Sequence, residues 1–159
     1  MKITILCVGR IKEKFYTQAV QEYAKRLSRY AKLQILEVED EKTPDKASAA
    51  ENEGIKAKEG AKLLAKLPED AYVIALAIDG NAPDSVELSQ KIEALQIAGK
   101  SHLCFVIGGS LGLSREVLDR ADERLSFSRM TFPHQLMRVI LLEQLYRSFR
   151  IMRGEPYHK

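Results

Sequence analysis

Apolar residues along the chain fall into two kinds of pattern that alternate from beginning to end. Short, largely apolar runs occupy residues 2–8, 33–38, 71–78, 102–107 and 124–128, and runs of this length predict strands. The run at 71–78 is apolar at nearly every position, as in a strand covered by helices on both faces. Apolar residues between the runs recur every three or four positions, which predicts helices. Strand and helix therefore alternate, and this order predicts an α/β/α sandwich with a mainly parallel sheet.

Capping residues and glycines mark where the predicted helices begin and end. Asp84 and Glu87 have the spacing of a capping box, and Gly99 stops the helix that they open. The acidic stretch 39–54 predicts a loop or a poorly packed helix start, and the residues 79–81, Asp-Gly-Asn, predict a turn. Helices are accordingly expected over 13–30, over 55–67, between Asp84 and Gly99, in a short segment capped by Ser114, and over 134–153.

Length and composition describe an ordinary soluble protein. The 159 residues, of which 45% are hydrophobic and 30% charged, predict a single domain spanning 1–159. No apolar run approaches the ~20 residues needed to cross a bilayer, and the opening segment is too short for a signal peptide. Cys7 and Cys104 lie in strand-like runs, which predicts two core residues in a reducing cytoplasm and disfavours a disulfide or a metal pair.

The net charge of +3 hides an uneven distribution. Residues 1–32 carry eight Lys or Arg and two acids, residues 33–123 carry ten and eighteen, and residues 124–159 carry seven and two. If the two basic ends meet in the fold, they form a positive face suited to nucleic acid. Cations that merely keep exposed helices soluble would give the same count, so charge alone leaves both interpretations open.

The loop at 108–112 matches the G-x-S-x-G pattern of serine hydrolases. In that class an acid and then a histidine follow the serine on further strands of a larger sheet. Here only Asp119 and Asp122 lie between Ser110 and His134, both on the helix directly after the loop, so the structural context of the motif is missing. A serine hydrolase is therefore the third hypothesis for this chain.

The same loop lacks the phosphate motif G-x-x-x-x-G-K-[ST] and the dinucleotide motif G-x-G-x-x-G. Glycines at the carboxyl end of a strand still let a ligand approach bare backbone, and open α/β sheets bind ligands at these ends. We therefore expect three loops to wall one pocket. The strands concerned end at Gly80, at Gly108-Gly109 and at Ser126-Phe127-Ser128.

The last 35 residues carry a specific combination of motifs. The segment "SFSRMTFPH" and the terminal "PYHK", taken with "FVIGGSLGL" and the opening "MKITILCVGR", resemble the large-subunit ribosomal RNA pseudouridine N3-methyltransferases. These enzymes belong to the SPOUT, or α/β-knot, class. The resemblance covers the whole chain, and the combination is far more specific than any one of its motifs.

The resemblance implies a trefoil knot near the C-terminus that forms a pocket for S-adenosyl-L-methionine. Gly108 and Gly109 would turn the chain tightly against this cofactor, and Ser110 would be a turn residue instead of a nucleophile. The implied reaction is methylation of N3 of a pseudouridine in large-subunit ribosomal RNA within the ribosome, in the cytoplasm, with no metal and no membrane involved. The residues that match the family's cofactor site are Leu76, Gly108, Phe127, Ser128, Arg129, Met130, Thr131 and Phe132.

Substrate binding and catalysis fall, by the same resemblance, to Arg153, Tyr157 and His158 in the C-terminal tail. Tyr157 could stack on a base, and Arg153 could hold a phosphate or a developing anionic carbonyl. His158 could accept a proton or donate a hydrogen bond. Which of the three takes the proton is left open.

The final predicted helix is apolar on two sides, and His134 is expected to open it in a structural role. Such a helix needs two burial surfaces, its own sheet and a second subunit, so a homodimer is expected. The family is also dimeric, which implies that the tail of one chain completes the pocket of the other. A non-catalytic RNA-binding or ribosome-associated factor on the same fold is the alternative hypothesis. The two apolar sides of the final helix are two stripes of residues. One consists of Met137, Ile140, Leu141, Leu145, Phe149 and Met152, and the other of Leu136, Val139, Leu142 and Tyr146.

Overall fold

The structure is a computed structural model that describes all 159 residues. Five strands alternate with five helices, in the order expected. None of the helices combines the length and the apolar character needed to cross a membrane. The strands are β1 Lys2–Val8, β2 Lys32–Val38, β3 Tyr72–Asn81, β4 His102–Ile107 and β5 Glu123–Leu125, and the helices are α1 Lys14–Leu27, α2 Ala49–Lys66, α3 Ser85–Ile97, α4 Arg115–Arg120 and α5 His134–Met152.

The five strands form one sheet in the order β2-β1-β4-β3-β5, and every neighbouring pair is parallel. Helices α1, α3 and α5 cover one face, and α2 and α4 cover the other. Because both faces are covered, the central strand β4 is buried at every position. A parallel sheet built in this way brings the carboxyl ends of all five strands to one edge.

The second helix begins six residues earlier than the pattern predicted, at Ala49 and not at residue 55. The Ser48 hydroxyl accepts a hydrogen bond from the Glu51 N–H at 3.1 Å, and the Glu51 carboxylate accepts one from the Ser48 N–H at 3.4 Å. These two bonds form a capping box, the same signal that correctly placed the start of α3. Ser48 and Glu51 have the spacing of a capping box, but the acidic composition around them led to the prediction of a loop or a poorly packed helix start.

The predicted turn at 79–81 is wrong, because β3 continues through Asn81. The Asn81 carbonyl accepts a hydrogen bond from the Ser126 N–H at 2.7 Å, so this end of the strand pairs with the chain that leaves β5. The pairing shifts register between Leu76 and Asn81. A Cβ on Gly80 would lie 2.7 Å from the carbonyl carbon of Arg124, and glycine is therefore needed for the two segments to approach.

The chain after β5 takes an unusual path. The strand ends at Leu125, three residues earlier than predicted, and the segment that follows lies near residues 76–78 of β3 and the loop after β4. Helix α5 begins directly after this segment, on the face of the sheet opposite to α4. The segment 126–133 therefore carries the chain past the carboxyl edge of the sheet, next to the ends of β3 and β4.

The burial of apolar residues in α5 varies along the length of the helix and does not follow the two predicted stripes. Leu141, Leu145 and Phe149 from one stripe are buried against the sheet, together with residues of the other stripe. The apolar residues that stay half-buried lie at both ends of the helix, with Ile151 and Met152 in the last turn and four more in the first two turns. Those four are Leu136, Met137, Val139 and Ile140.

Both cysteines are predicted to be chemically inert in the folded protein. Cys7 and Cys104 are free and have no exposed surface. Burial raises the pKa of each thiol to about 12, so almost no thiolate forms near neutral pH. A disulfide-based thiol reagent should therefore modify neither cysteine in buffer and both in denaturant. Rapid release of one equivalent from the native protein would contradict this placement.

Candidate functional site

A cavity of about 600 Å³ opens at the carboxyl edge of the sheet. Three segments line it, residues 76–78 after the paired part of β3, 107–112 after β4, and 125–134 after β5, with Met137 from α5 beneath. The three loops expected from the sequence therefore do wall one pocket. No Asp, Glu, Lys or Arg lines the cavity, so ligand contacts there come from apolar side chains, hydroxyls, one imidazole and peptide groups.

Of the eight residues that the sequence suggested for cofactor binding, the structure brings seven together around the cavity. Arg129 is the exception, since its side chain is exposed and is not part of the cavity wall. The seven are Leu76, Gly108, Phe127, Ser128, Met130, Thr131 and Phe132.

The glycine loop after β4 is a tight, closed turn. The Gly112 N–H donates to the Gly109 carbonyl at 3.1 Å, and Gly112 has a φ of +86°. A Cβ on Gly108 would lie 2.7 Å from the carbonyl carbon of Gly112, and backbone atoms cannot move aside cheaply. Glycine is thus required at position 108 because the two ends of this turn lie so close together, and the turn shapes the wall of the cavity.

Residues 126–130 are held in shape by their own serines. The Ser126 hydroxyl donates to the Ser128 carbonyl at 3.1 Å, and the Ser128 hydroxyl accepts a hydrogen bond from the Met130 N–H at 2.9 Å. Local bonds of this kind replace the ladder that ends at Leu125. They fix the segment while leaving the Met130 side chain 72% exposed at the opening of the cavity.

Ser110 lines the cavity but has no catalytic partner. The hydrogen bonds made by histidine side chains go to Thr4, Asp70 and Arg147 and not to Ser110. A nucleophilic serine needs a base within hydrogen-bond reach. The geometry therefore gives the hydrolase hypothesis no support.

His134 opens α5, as expected, and it also forms part of the cavity wall. Burial lowers the pKa of the His134 imidazole, and the charge of Arg138 lowers it further, so the ring is neutral at pH 7. Arg138 itself is only 2% exposed; it donates to Glu37 at 2.6 Å and to the Gly9 carbonyl at 3.1 Å. These bonds from a buried guanidinium to the exposed Glu37 and to the Gly9 carbonyl fasten the start of α5 to the ends of β1 and β2.

Glu59 on α2 supports the glycine loop from behind, a role that the sequence did not reveal. Its carboxylate is 4% exposed and accepts a hydrogen bond from the Glu41 N–H at 3.0 Å, while its second oxygen has no partner. That oxygen lies 3.1 Å from where a Cβ on Gly109 would stand. Burial raises the pKa of the Glu59 carboxyl. A single Glu in a charged helix carries no local signal of burial.

The C-terminal tail folds back onto α5 instead of fraying. The Tyr157 hydroxyl donates to Glu143 at 2.9 Å, and burial together with this bond raises the pKa of the phenol. The Arg147 guanidinium lies 4.7 Å from the centre of the Tyr157 ring and 3.2 Å from Nδ1 of His158. Arg153, just past the helix end, is exposed. The tail therefore has a defined position in the isolated chain.

Within one chain the tail does not reach the cavity. Arg147, which contacts both Tyr157 and His158, comes ten residues after Met137, the last cavity-lining residue on the same helix. At 1.5 Å per residue, that interval is roughly 15 Å along the axis. The residues suggested for cofactor binding and those suggested for catalysis are thus separate clusters in a single chain.

The two basic ends of the sequence do meet in space, because α1 packs along α5. Tyr30, just after α1, stacks on Phe149 at a ring distance of 5.7 Å. The Arg153 guanidinium lies 4.8 Å from the centre of the Tyr30 ring. Lysines and arginines from both ends of the sequence therefore share one side of the molecule, as a nucleic-acid-binding face requires.

Comparison with known proteins identifies close relatives over the full chain. The family model described as predicted SPOUT methyltransferase matches residues 1–158. A protein of Shouchella clausii named ribosomal RNA large subunit methyltransferase H is 62% identical over 159 residues, which is 100% of both chains. Proteins with the same name from Clostridioides difficile and Listeria monocytogenes are 60% and 59% identical, again over 100% of both chains.

Two solved structures show the same fold at low sequence identity. A probable methylase family protein from Haemophilus influenzae is 14% identical with a TM-score of 0.51, covering 96% of this chain and 66% of that one. The TrmH/SpoU tRNA modifying enzyme of A. aeolicus is 15% identical with a TM-score of 0.50, covering 96% and 77%. Together with the match to the SPOUT family model, these structures confirm the parallel α/β/α sandwich with a C-terminal trefoil knot, in which the chain after β5 is threaded.

Proposed function

Because this chain belongs to the SPOUT methyltransferases, we propose that it transfers a methyl group from S-adenosyl-L-methionine to N3 of a pseudouridine in large-subunit ribosomal RNA. The observation that carries the proposal is the cavity, in which the glycine loop faces the segment 126–133 and seven of the eight expected residues lie together. Relatives about 60% identical over their whole length bear the name of a large-subunit ribosomal RNA methyltransferase. The choice of N3 and of a ribosomal substrate in the cytoplasm rests on the resemblance of the motifs.

The cavity fits the proposed cofactor. Its volume of about 600 Å³ lies within the ~300–1,000 Å³ usual for small-molecule sites. An adenine ring needs flat apolar surface together with backbone N–H and C=O groups. Leu76, Phe127 and Phe132 would supply the apolar surface, and the peptide groups of residues 126–132 would supply the polar contacts. When bound, S-adenosyl-L-methionine supplies a methyl group that its sulfonium centre has already activated.

What the chain itself must do is align the uracil edge and take up the proton that leaves N3. We assign these tasks to the tail. Tyr157 stacks on a base, and Arg153 offers positive charge to the anionic carbonyl that develops in the reaction. The His158 imidazole accepts the proton that leaves N3. The phenol of Tyr157 is protonated near neutral pH, as its raised pKa requires, and it therefore acts as a donor or a stacking surface.

The working unit is a homodimer in which the tail of one chain serves the cavity of the other. The separation of tail and cavity along α5 supports this arrangement, since neither can be reached from the other within one chain. The half-buried apolar turns at the start of α5 adjoin the cavity through Met137, and a two-fold pairing there would bury them.

The experiment that tests the function is transfer of labelled methyl to large ribosomal subunits that lack the modification. Free large-subunit RNA and RNA without pseudouridine run beside them, and the product nucleoside is identified by mass spectrometry. Label in N3-methylpseudouridine is the expected result. Binding of ribosomes without any cofactor uptake in calorimetry would instead favour the non-catalytic factor.

A further inference from the structure

A group of cations without carboxylate partners borders the opening of the cavity. Arg10, Lys12 and Lys14 lie between β1 and the first turn of α1, and Arg129 lies in the threaded segment. None of the four has a carboxylate oxygen within 4 Å, although eleven ion pairs involve other residues. All four side chains are exposed. The group therefore presents uncompensated positive charge to solvent.

Hydrogen bonds and packing attach this group to the cavity wall. The Lys12 N–H donates to Oε1 of Gln135 at 3.2 Å, and Gln135 adjoins the cavity-lining His134. A Cβ on Gly9 would lie 3.4 Å from Nε2 of His134, so the end of β1 also rests against that ring. Arg129 sits between Ser128 and Met130, which both line the cavity. The cations consequently lie beside residues that line the cavity, near the opening through which a substrate enters.

An exposed aromatic ring stands among these cations. Phe15, in the first turn of α1, is 62% exposed and lies 4.4 Å from the Tyr16 ring. A single exposed phenylalanine is common on protein surfaces, and it is its position beside unpaired cations that distinguishes Phe15. An aromatic face between cations is what a single-stranded nucleic acid requires, because bases stack on the ring while phosphates contact the charges.

We propose that Arg10, Lys12, Lys14, Phe15 and Arg129, here called the entry patch, bind the unpaired RNA next to the nucleotide being modified. The proposal rests on the proposed function for the identity of that nucleotide, and it assigns the entry patch to the chain whose cavity holds the cofactor. A base neighbouring the acceptor stacks on Phe15, and the flanking phosphates contact the cations. Of the acids at the end of β2, Glu37 is paired with Arg138, Glu41 is paired with Lys62, and Glu39 lies near Lys62. The exposed Glu13 and Asp40 remain, so the four cations keep a positive balance.

Self-association is the other possible use of an exposed aromatic ring, and the charge opposes it. A two-fold contact through the entry patch would place its four cations against four identical ones. The half-buried turns of α5 offer an uncharged surface for that purpose. The positive patch is complementary to a polyanion, and RNA is the partner that it fits.

The test compares Phe15→Ala, Phe15→Tyr and the double variant Lys12→Ala/Lys14→Ala with matched controls. The controls are Ile97→Ala, an 82% exposed apolar residue at the last position of α3, and Lys66→Ala at the last position of α2. Both controls lie at the opposite edge of the sheet, because these helices run antiparallel to the strands. Affinity for unmodified large ribosomal subunits, methyl transfer and cofactor affinity are measured for each.

Phe15→Ala should weaken ribosome binding and raise KM by roughly 5-fold to 150-fold, the range for loss of one stacked base, while cofactor affinity stays unchanged. Phe15→Tyr should restore binding. The double lysine variant should reduce the slope of log affinity against log salt by about 2, one for each lost phosphate contact. Controls that behave like the unsubstituted protein are expected.

Wild-type binding and KM in the Phe15→Ala chain would overturn the proposal. A Phe15→Ala chain that becomes monomeric by ultracentrifugation would also overturn it, and would make the patch a contact between copies. Patch-dependent ribosome binding without any N3-methylpseudouridine would contradict the proposed function alone. Methylation that is insensitive to every patch variant would contradict the entry patch alone.

Discussion

A chain carrying Gly108→Arg is expected to lose detectable binding of S-adenosyl-L-methionine, and Gly108→Ala is expected to weaken it by roughly 5-fold to 150-fold. A Cβ at this position would stand 2.7 Å from the Gly112 carbonyl carbon and 2.9 Å from its oxygen. Relieving such an overlap costs ~1–3 kcal/mol when neighbouring atoms are packed, and here the atoms that must move form the cavity wall. Calorimetric titration of each variant with the cofactor provides the measurement.

Gly54→Ala is the matched control for a glycine substitution. Gly54 is an exposed residue inside α2, and a Cβ there would meet nothing within 4 Å. This variant should bind the cofactor normally and gain about 0.5–1 kcal/mol in the free energy of unfolding. If Gly108→Ala binds as tightly as the unsubstituted chain while remaining folded, the glycine loop is not part of the cofactor site.

Removal of the tail is expected to abolish methyl transfer while leaving cofactor binding nearly intact. Truncation after Gly154 deletes Tyr157 and His158, which lie roughly 15 Å along α5 from the cavity and do not line it. Because the truncation also removes the bond from Tyr157 to Glu143, His158→Ala serves as the milder variant. His158 is exposed, and its only hydrogen bond is to Arg147.

Mixed dimers decide which chain the tail serves. Equal amounts of the Gly108→Arg chain, which keeps its tail, and the truncated chain, which keeps its cavity, are denatured together and refolded. Random pairing makes half of the dimers mixed, with one complete site of two, so about a quarter of the wild-type activity should return. Each inactive chain alone is the control. No recovery from a properly folded mixture would show that the tail does not act across the dimer.

Local patterns were sufficient for the elements whose own residues carry a clear apolar run or a capping box. β1 and β4 have the bounds that their apolar runs predicted, and α3 begins with the capping box of Asp84 and Glu87. The expected pocket was also recovered, because parallel strands must end at one edge. These features need only residue periodicity and short-range hydrogen bonds, which the sequence displays directly.

Apart from the start of α2, whose capping box is local, the features that escaped prediction depend on partners far away along the chain. The residues 79–81 have the composition of a turn, and they are held in a strand by the chain near Ser126. Arg138 is buried in an apolar helix because Glu37 and Gly9, 101 and 129 residues earlier, receive its hydrogen bonds. No local pattern encodes such pairings. The roles of the tail came from a resemblance, and its docked position on α5 came from the structure.

The threaded path of residues 126–133 has a consequence for biosynthesis. The wall that they form comes from residues near the end of the chain, so it is synthesised after the two walls that follow β3 and β4. Most of the sheet can therefore form before the cavity is complete. We expect completion of the cavity to be a late step of folding, and the knotted segment to resist local opening afterwards.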